Sequence, residues 1–393
     1  MRYLFCSFAT HGFIHPSIVI ALELRRRGHD VAFATAPLMA PLLDRVEIPR
    51  LPRGDKDGDS FLVHLCGHPI ETMRQVRHIE HALERFPADV IVGQSLTLGP
   101  PIAAERKGVP LAMIGLAAYI WPTRSSARPA KHTAYVRARY DEFRKSFDLT
   151  RYTFGLEVCG PDPVETPLLG DLFLLRSAPA LEGEVESLPA QVQFVGDCLW
   201  DPGLADPALD SWLDAADAAE LPIVYAQPGR ISNVQHLWTS VRSALAGEPM
   251  RVAASVGRTE RVELDAPANF FARIHVSQDA VLPRARAAIS TGTTTSVLGA
   301  LRYGVPLLLI PGGGGGEQVD LAARCVEAGV GIRIDPAAVT EESLRVAVRT
   351  LVHEGDAMRA RARAMGERLA ETGGAVRAAE LLEALGTNRT RAS

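Results

Sequence analysis

Short apolar runs alternate along this chain with segments of helical spacing, the pattern of buried strands feeding helices. Arg2 to Phe8 predicts a strand, and a loop containing Gly12 follows it. Pro16 to Arg27 then predicts a helix with Ile18, Ala21, Leu22 and Leu24 on one face. Pro16 suits its first turn and Gly28 its stop, so Asp30 to Thr35 reads as a second buried strand closing a βαβ unit. Val90 to Val92 and Leu111 to Ile114 repeat the motif. A turn-rich stretch, Asp201-Pro202-Gly203-Leu204-Ala205-Asp206-Pro207, has the composition of a linker. Beyond it a second series begins, with apolar runs at Ile223 to Ala226, Arg251 to Ser255, Ala287 to Ser290 and Leu307 to Ile310, and Gly355 to Leu385 predicts one or two closing helices. The expected fold class is α/β: two Rossmann-like, doubly wound parallel-sheet domains, 1–203 and 204–393, facing a central cleft. Ligands of such sheets bind beyond the carboxyl ends of the strands, so the loops there are where function is sought.

A chain of 393 residues exceeds the size of one ordinary core, which agrees with two domains. A net charge of −4 without a basic run excludes the electrostatic footprint of a nucleic-acid binder, so small-molecule partners are expected. No segment approaches the ~18 uninterrupted apolar residues of a membrane span, and the start lacks a leader pattern; a cytoplasmic protein without membrane contact is expected. Five scattered cysteines with no CxxC pair point neither to a disulfide framework nor to a zinc site. Asp55-Lys56-Asp57-Gly58-Asp59 mimics the opening of a calcium loop, but Ser60 stands where that loop needs Gly and Cys66 where it needs Glu, so it reads as a solvated loop and no metal is expected.

Two turns carry candidate chemistry. Ser290 to Ser296 places small hydroxyl residues, Thr291, Thr293, Thr294 and Thr295 among them, with Gly292, where a strand ends and a helix starts. A helix N-terminus with unpaired N–H groups and a partial positive charge is an anion site; the same residues also suit an ordinary Ser/Thr cap. At the next turn Leu307 to Ile310 leads into Pro311 and five glycines, Gly312 to Gly316, before Glu317 and Gln318. So many glycines are costly to order, which suits close backbone approach or a mobile loop, and an acid and an amide after it can bond adjacent sugar hydroxyls.

Together with Thr10 to Pro16, Arg27-Gly28-His29, Phe194-Val195-Gly196-Asp197, Val276-Ser277-Gln278, Leu282-Pro283-Arg284, Ala322, Arg324 and Gly329, these blocks resemble the family 1 glycosyltransferases of the GT-B fold, particularly the actinomycete enzymes that decorate antibiotics. The resemblance implies an inverting, metal-independent transferase that takes a sugar, a deoxysugar by expectation, from a dTDP- or UDP-sugar co-substrate to a small natural-product acceptor, with no further cofactor and with a homodimer as one expected state. The family's His-Gly-Gly-x-Gly-Thr block, which holds the donor pyrophosphate, maps onto Thr291 to Ser296, retaining Gly292. The family's Asp-Gln pair, which grips the donor sugar, maps onto Glu317-Gln318 beside Gly316. Its Trp-x-Pro-Gln stretch becomes His275-Val276-Ser277-Gln278, so His275, Val276 and Gln278 are expected at the nucleoside. Gly229 and Arg230 follow the first strand of the second half, and Arg230 suits the phosphate.

In the first half the chain departs from its relatives. The catalytic His three residues before the proline is Phe13 here, and the Asp that orients it is Gln94. His11 and His15 flank Phe13 in a loop expected to reach the cleft, and either suits a base near neutral pH, with His64, His68 and His132 as other candidates. The acceptor surface is expected around Phe13, Cys66, Gln94 and Tyr119 to Arg124, Trp121 included. Two other readings stand beside this one: a silent homologue that assists a partner enzyme, and a nucleotide-sugar epimerase on the same fold.

Overall fold

The computed structural model describes residues 1–54, 58–116, 130–159, 167–183, 188–203, 205–228, 234–257, 266–312 and 316–390. The first sheet holds β1 (Arg2–Cys6), β2 (Asp30–Ala34), β3 (Arg50–Leu51), β4 (Val90–Gln94), β5 (Leu111–Gly115), β6 (Leu172–Leu175) and β7 (Val192–Phe194), in the spatial order β3-β2-β1-β4-β5-β6-β7. The second holds β8 (Ile223–Gln227), β9 (Arg251–Ser255), β10 (Phe270–Arg273), β11 (Ala285–Ser290), β12 (Leu307–Leu309) and β13 (Gly331–Arg333), ordered β10-β9-β8-β11-β12-β13. Every recorded pairing is parallel, the result of strands joined through crossover helices. In each sheet the order reverses beside the first strand, the point at which such folds open a crevice.

The strands carry apolar residues on both faces because helices cover both. In β8, Ile223 and Tyr225 belong to one core with Val297, Leu298 and Leu301, while Val224 and Ala226 belong to another with Trp238, Val241 and Val348. In β1 the same period-two alternation sends Leu4 and Cys6 to one layer and Tyr3 and Phe5 to the other. Each large side chain so buried contributes about 1.5–3 kcal/mol relative to exposure, and this fixes the strand ends that carry the loops of the cleft.

Two expectations are corrected. The helix predicted from Pro16 begins at His11 and runs to Arg26, with Pro16 inside it. The Ile14 amide reaches the Thr10 carbonyl at 2.9 Å, so an extra turn forms ahead of the proline, which forgoes only the bond toward Gly12. His11, Phe13 and His15 therefore sit on helical turns and not in a loop. Secondly, the C-terminal segment is not confined to the second half. After the helix Asp356–Glu371, the helix Gly374–Thr390 packs against the His11–Arg26 helix, and Ala378, Ala379 and Leu382 complete the core beneath β1. Arg27 donates to Glu383 at 2.9 Å and His29 bonds the same carboxylate at 2.8 Å, which holds Glu383 below the usual carboxylate range. Apolar surface on the first sheet's helix is buried by residues from the far end of the chain, so spacing along either half does not reveal it. Among the described residues no helix is long and apolar enough to cross a membrane.

Candidate active site

β11 ends at Ser290, level with Gln227 of β8 and Leu309 of β12, so three adjacent strands deliver their carboxyl ends to one place. The chain turns there through Gly292, whose φ of +82° belongs to the left-handed region. A Cβ on Gly292 would lie 2.8 Å from the carbonyl oxygen of Gln318, so only glycine lets the two turns meet. The helix Thr294–Arg302 then starts from Thr293, whose side chain does not cap it. Instead the hydroxyls bond one another. Ser290 Oγ accepts from the Gly292 amide at 2.9 Å and lies 2.5 Å from Ser296 Oγ; Thr293 Oγ1 lies 2.7 Å from the same oxygen, whose own proton goes to the Thr293 carbonyl at 2.9 Å. Of the two readings of this segment, the ordinary cap is not the one adopted: the first-turn amides receive no hydroxyl from Thr293. Thr295 is half-buried, and Thr291, 4% exposed, has a buried hydroxyl with no protein partner.

Glu317 and Gln318 sit on the first turn of the helix Gly316–Glu327. Thr294 donates its hydroxyl to the Glu317 carboxylate, tying the two helix starts together, and Gln318 Oε1 accepts from the Gly312 amide at 2.9 Å. Burial pushes the Glu317 carboxyl above the usual carboxylate range, opposed by the Thr294 hydrogen bond and by the charge of Arg176. The cleft in front of Glu317 is shared between halves: Leu116, Arg176, Ser177 and Glu182 line it from the first, Thr294, Asp320 and Arg324 from the second. Arg324 ion-pairs with Glu182 across the boundary and with Asp320 at 2.8 Å on its own helix.

The segment expected at the nucleoside is held from beneath. Val276 is buried, with its amide 3.3 Å from Ser255 Oγ and its carbonyl 3.1 Å from the Tyr225 hydroxyl. Gln278 donates to Gln227 Oε1 at 2.7 Å and presses against Gly299, where any larger residue would collide with its amide. Ser277 caps the helix Gln278–Val281 through the Ala280 amide and donates to Asp201 at 2.8 Å. His275 is exposed.

Across the cleft, His11 and His15 lie four residues apart on one helical face, ring centroids 5.1 Å apart. His11 is exposed at the first turn. His15 is buried against Trp200, and burial, then the neighbouring His11 and His275, press its imidazole down to about 3. Phe13 points the other way, edge-on to Phe8 at 5.4 Å. Gln94, 3% exposed, bonds the Phe13 carbonyl, Ser17 Oγ at 3.0 Å and Ser7 Oγ at 3.2 Å, so its amide is engaged with the start of the helix. His64 and His68 are exposed, and His68 caps the helix Pro69–Arg85 through the Ile70 amide. Trp121 with the rest of Tyr119 to Arg124, Gly229, Arg230, Asp55 to Asp57, Gly313 to Gly315 and the His132 side chain lie outside the described residues.

Residues 236–360, which include both turns, match the family model for UDP-glucoronosyl and UDP-glucosyl transferases. Over 98% of its length the chain is 26% identical to 4'-demethylrebeccamycin synthase of Lentzea aerocolonigenes, covering 99% of that protein. A crystal structure of the glycotransferase of kitacinnamycin superposes with a TM-score of 0.76 at 23% identity, with 98% of each chain covered. The glycosyltransferase VinC, solved in complex with dTDP, superposes at 0.74 and 17% identity, over 99% of this chain and 100% of that one. The chain is a GT-B glycosyltransferase.

In this glycosyltransferase three groups at the cleft went unnoticed in the sequence. Arg176 follows a four-residue strand too short to stand out, Glu182 lies on a single helical turn, and Asp201 reads as linker punctuation. A signal was present for the last: an aspartate before Pro-Gly in an otherwise apolar exit from the first half.

Proposed function

We propose that this glycosyltransferase moves a sugar, a deoxysugar in our reading, from a dTDP- or UDP-sugar onto a small natural-product acceptor bound by the N-terminal half, with inversion and without a metal ion or other cofactor. The observation that carries this is the start of the Thr294–Arg302 helix, left uncapped by Thr293 and tied to Glu317 through Thr294. A diphosphate set against those amides meets the positive end of the helix, which stabilises negative charge as the glycosidic bond breaks. The sugar then stands beside Glu317 and Gln318, and the base lies over His275, Val276 and Gln278. The acceptor hydroxyl forms its bond to the anomeric carbon from the opposite face while the sugar–phosphate bond breaks, and His11, exposed at the mouth of the cleft, takes the hydroxyl proton. The named relatives support a natural-product acceptor: 4'-demethylrebeccamycin synthase and the kitacinnamycin enzyme. The dTDP complex of VinC supports a thymidine donor, and the name of the matching family model a uridine one.

The test is incubation with a panel of dTDP- and UDP-sugars and aromatic acceptors, following nucleoside diphosphate release and glycoside formation by chromatography. An enzyme releases the diphosphate with at least one donor and leaks some without acceptor. A second reading is favoured by the Phe13 and Gln94 pair, which lacks the relatives' base: a silent homologue assisting a partner. It releases no diphosphate with any donor, and that result would replace the first reading.

A further inference from the structure

The carboxylate proposed to hold the donor sugar does not stand among groups of its own half alone. Arg176 follows β6 in the N-terminal half and is 5% exposed. Its Nε and Nη2 both donate to the Asp197 carbonyl, at 3.1 and 2.9 Å, which fixes the plane of the guanidinium. Arg176 also lines the cleft that Glu317 and Thr294 line from the other half. Next to Arg176, the Ser177 hydroxyl is buried in the same cleft without a protein partner. Arg324 is engaged by Glu182 and Asp320, and the Asp197 carboxylate, which also acts on Arg176, lies 3.5 Å from Arg302. Arg176 is the cation whose charge acts on Glu317.

We propose that Arg176 is a positioning residue for donor-sugar recognition: from the N-terminal half it supplies the countercharge that makes Glu317 a hydrogen-bond acceptor for sugar hydroxyls, so the sugar site is complete only when the two halves are together. This rests on the reading of Glu317 as the sugar grip. The chemistry follows from burial. A carboxyl withdrawn from water favours its neutral, proton-donating form, and an opposite charge nearby favours the ionised, accepting form. Burial raises the Glu317 carboxyl and Arg176 opposes that rise. Loss of the cation therefore shifts Glu317 toward the carboxylic acid, which presents a donor where the sugar hydroxyl also presents one. Arg is suited to the task because its guanidinium stays charged even where burial lowers its pKa, as burial does here.

The experiment compares calorimetric affinity for a nucleotide sugar with that for the free nucleoside diphosphate, from pH 6 to pH 9, so that the ratio isolates the sugar. In the wild type the ratio should stay level across this range. Arg176→Gln retains a donor for the Asp197 carbonyl but no charge; its ratio should fall about tenfold at the acid end and recover toward pH 9, while Arg176→Lys stays near wild type. Glu317→Gln should lose the ratio at every pH, and the double variant Arg176→Gln/Glu317→Gln should be no worse than Glu317→Gln alone, the non-additivity expected of two residues acting through one group. Additive losses, or a pH-independent loss in Arg176→Gln, would overturn the proposal while leaving Glu317 as the grip. A wild-type ratio that collapses on acidification would overturn it without any variant. If Glu317→Gln changes nothing, the reading beneath it is what fails.

Discussion

The Gly292 Cα faces the carbonyl of Gln318 so closely that a methyl group there would sit 2.8 Å from the oxygen. The turn proposed for the diphosphate and the helix proposed for the sugar are thus one packed unit, joined again by the Thr294 to Glu317 hydrogen bond.

Gly292→Ala should cost about 1–3 kcal/mol of stability, from a left-handed φ and the displaced carbonyl. It should also weaken dTDP or UDP binding, read together by thermal unfolding and calorimetry. Wild-type diphosphate affinity in a destabilised Ala variant would show that the turn is structural only.

Gln94 makes side-chain bonds to Phe13, Ser17 and Ser7 at the base of the first helix. Gln94→Ala leaves buried partners unsatisfied, at about 1–3 kcal/mol for each such group. A lower Tm with a lower kcat and unchanged donor affinity is expected. Full stability with a raised acceptor KM would instead make Gln94 a direct acceptor contact.

His11→Ala should reduce kcat by about 10²–10⁴-fold, the range of a lost general base, with donor affinity intact by calorimetry. Turnover at the wild-type rate would move the base elsewhere.

His15 gives a pH signature of stability. Its imidazole, ordinarily 6.5, is depressed to about 3 by burial and by His11 and His275, with Asp201 opposing. The unfolded chain therefore binds a proton that the folded one refuses. Its contribution to stability is complete above pH 6.5 and is lost as pH falls toward 3. A His15→Phe variant should show a shallower decline of urea-unfolding stability over that window, and identical slopes would count against a neutral buried imidazole.

The strand-and-helix rhythm was legible because helices cover both sheet faces, so β1, β2, β4, β5, β8, β9, β11 and β12 all read as compact apolar runs. The two turns of the second half were legible for the same reason, since each follows such a run. What hydrophobic spacing did not carry was decided by contacts between distant segments. Thr10 starts the first helix early because its carbonyl meets Ile14, although Pro16 marks a conventional beginning. Gln94 stands where the family resemblance implies an acid, and its structural role appears only once the Phe13 carbonyl is beside it. Arg176 and Glu317 come from different halves, and nothing in either stretch of text points to the other.

The helix Gly374–Thr390 carries the chain back to the first sheet. The chain consequently crosses between the halves at two places, the stretch near Asp201 and the stretch near Gly373. A protease cut at the first crossing alone would leave both lobes joined through the second.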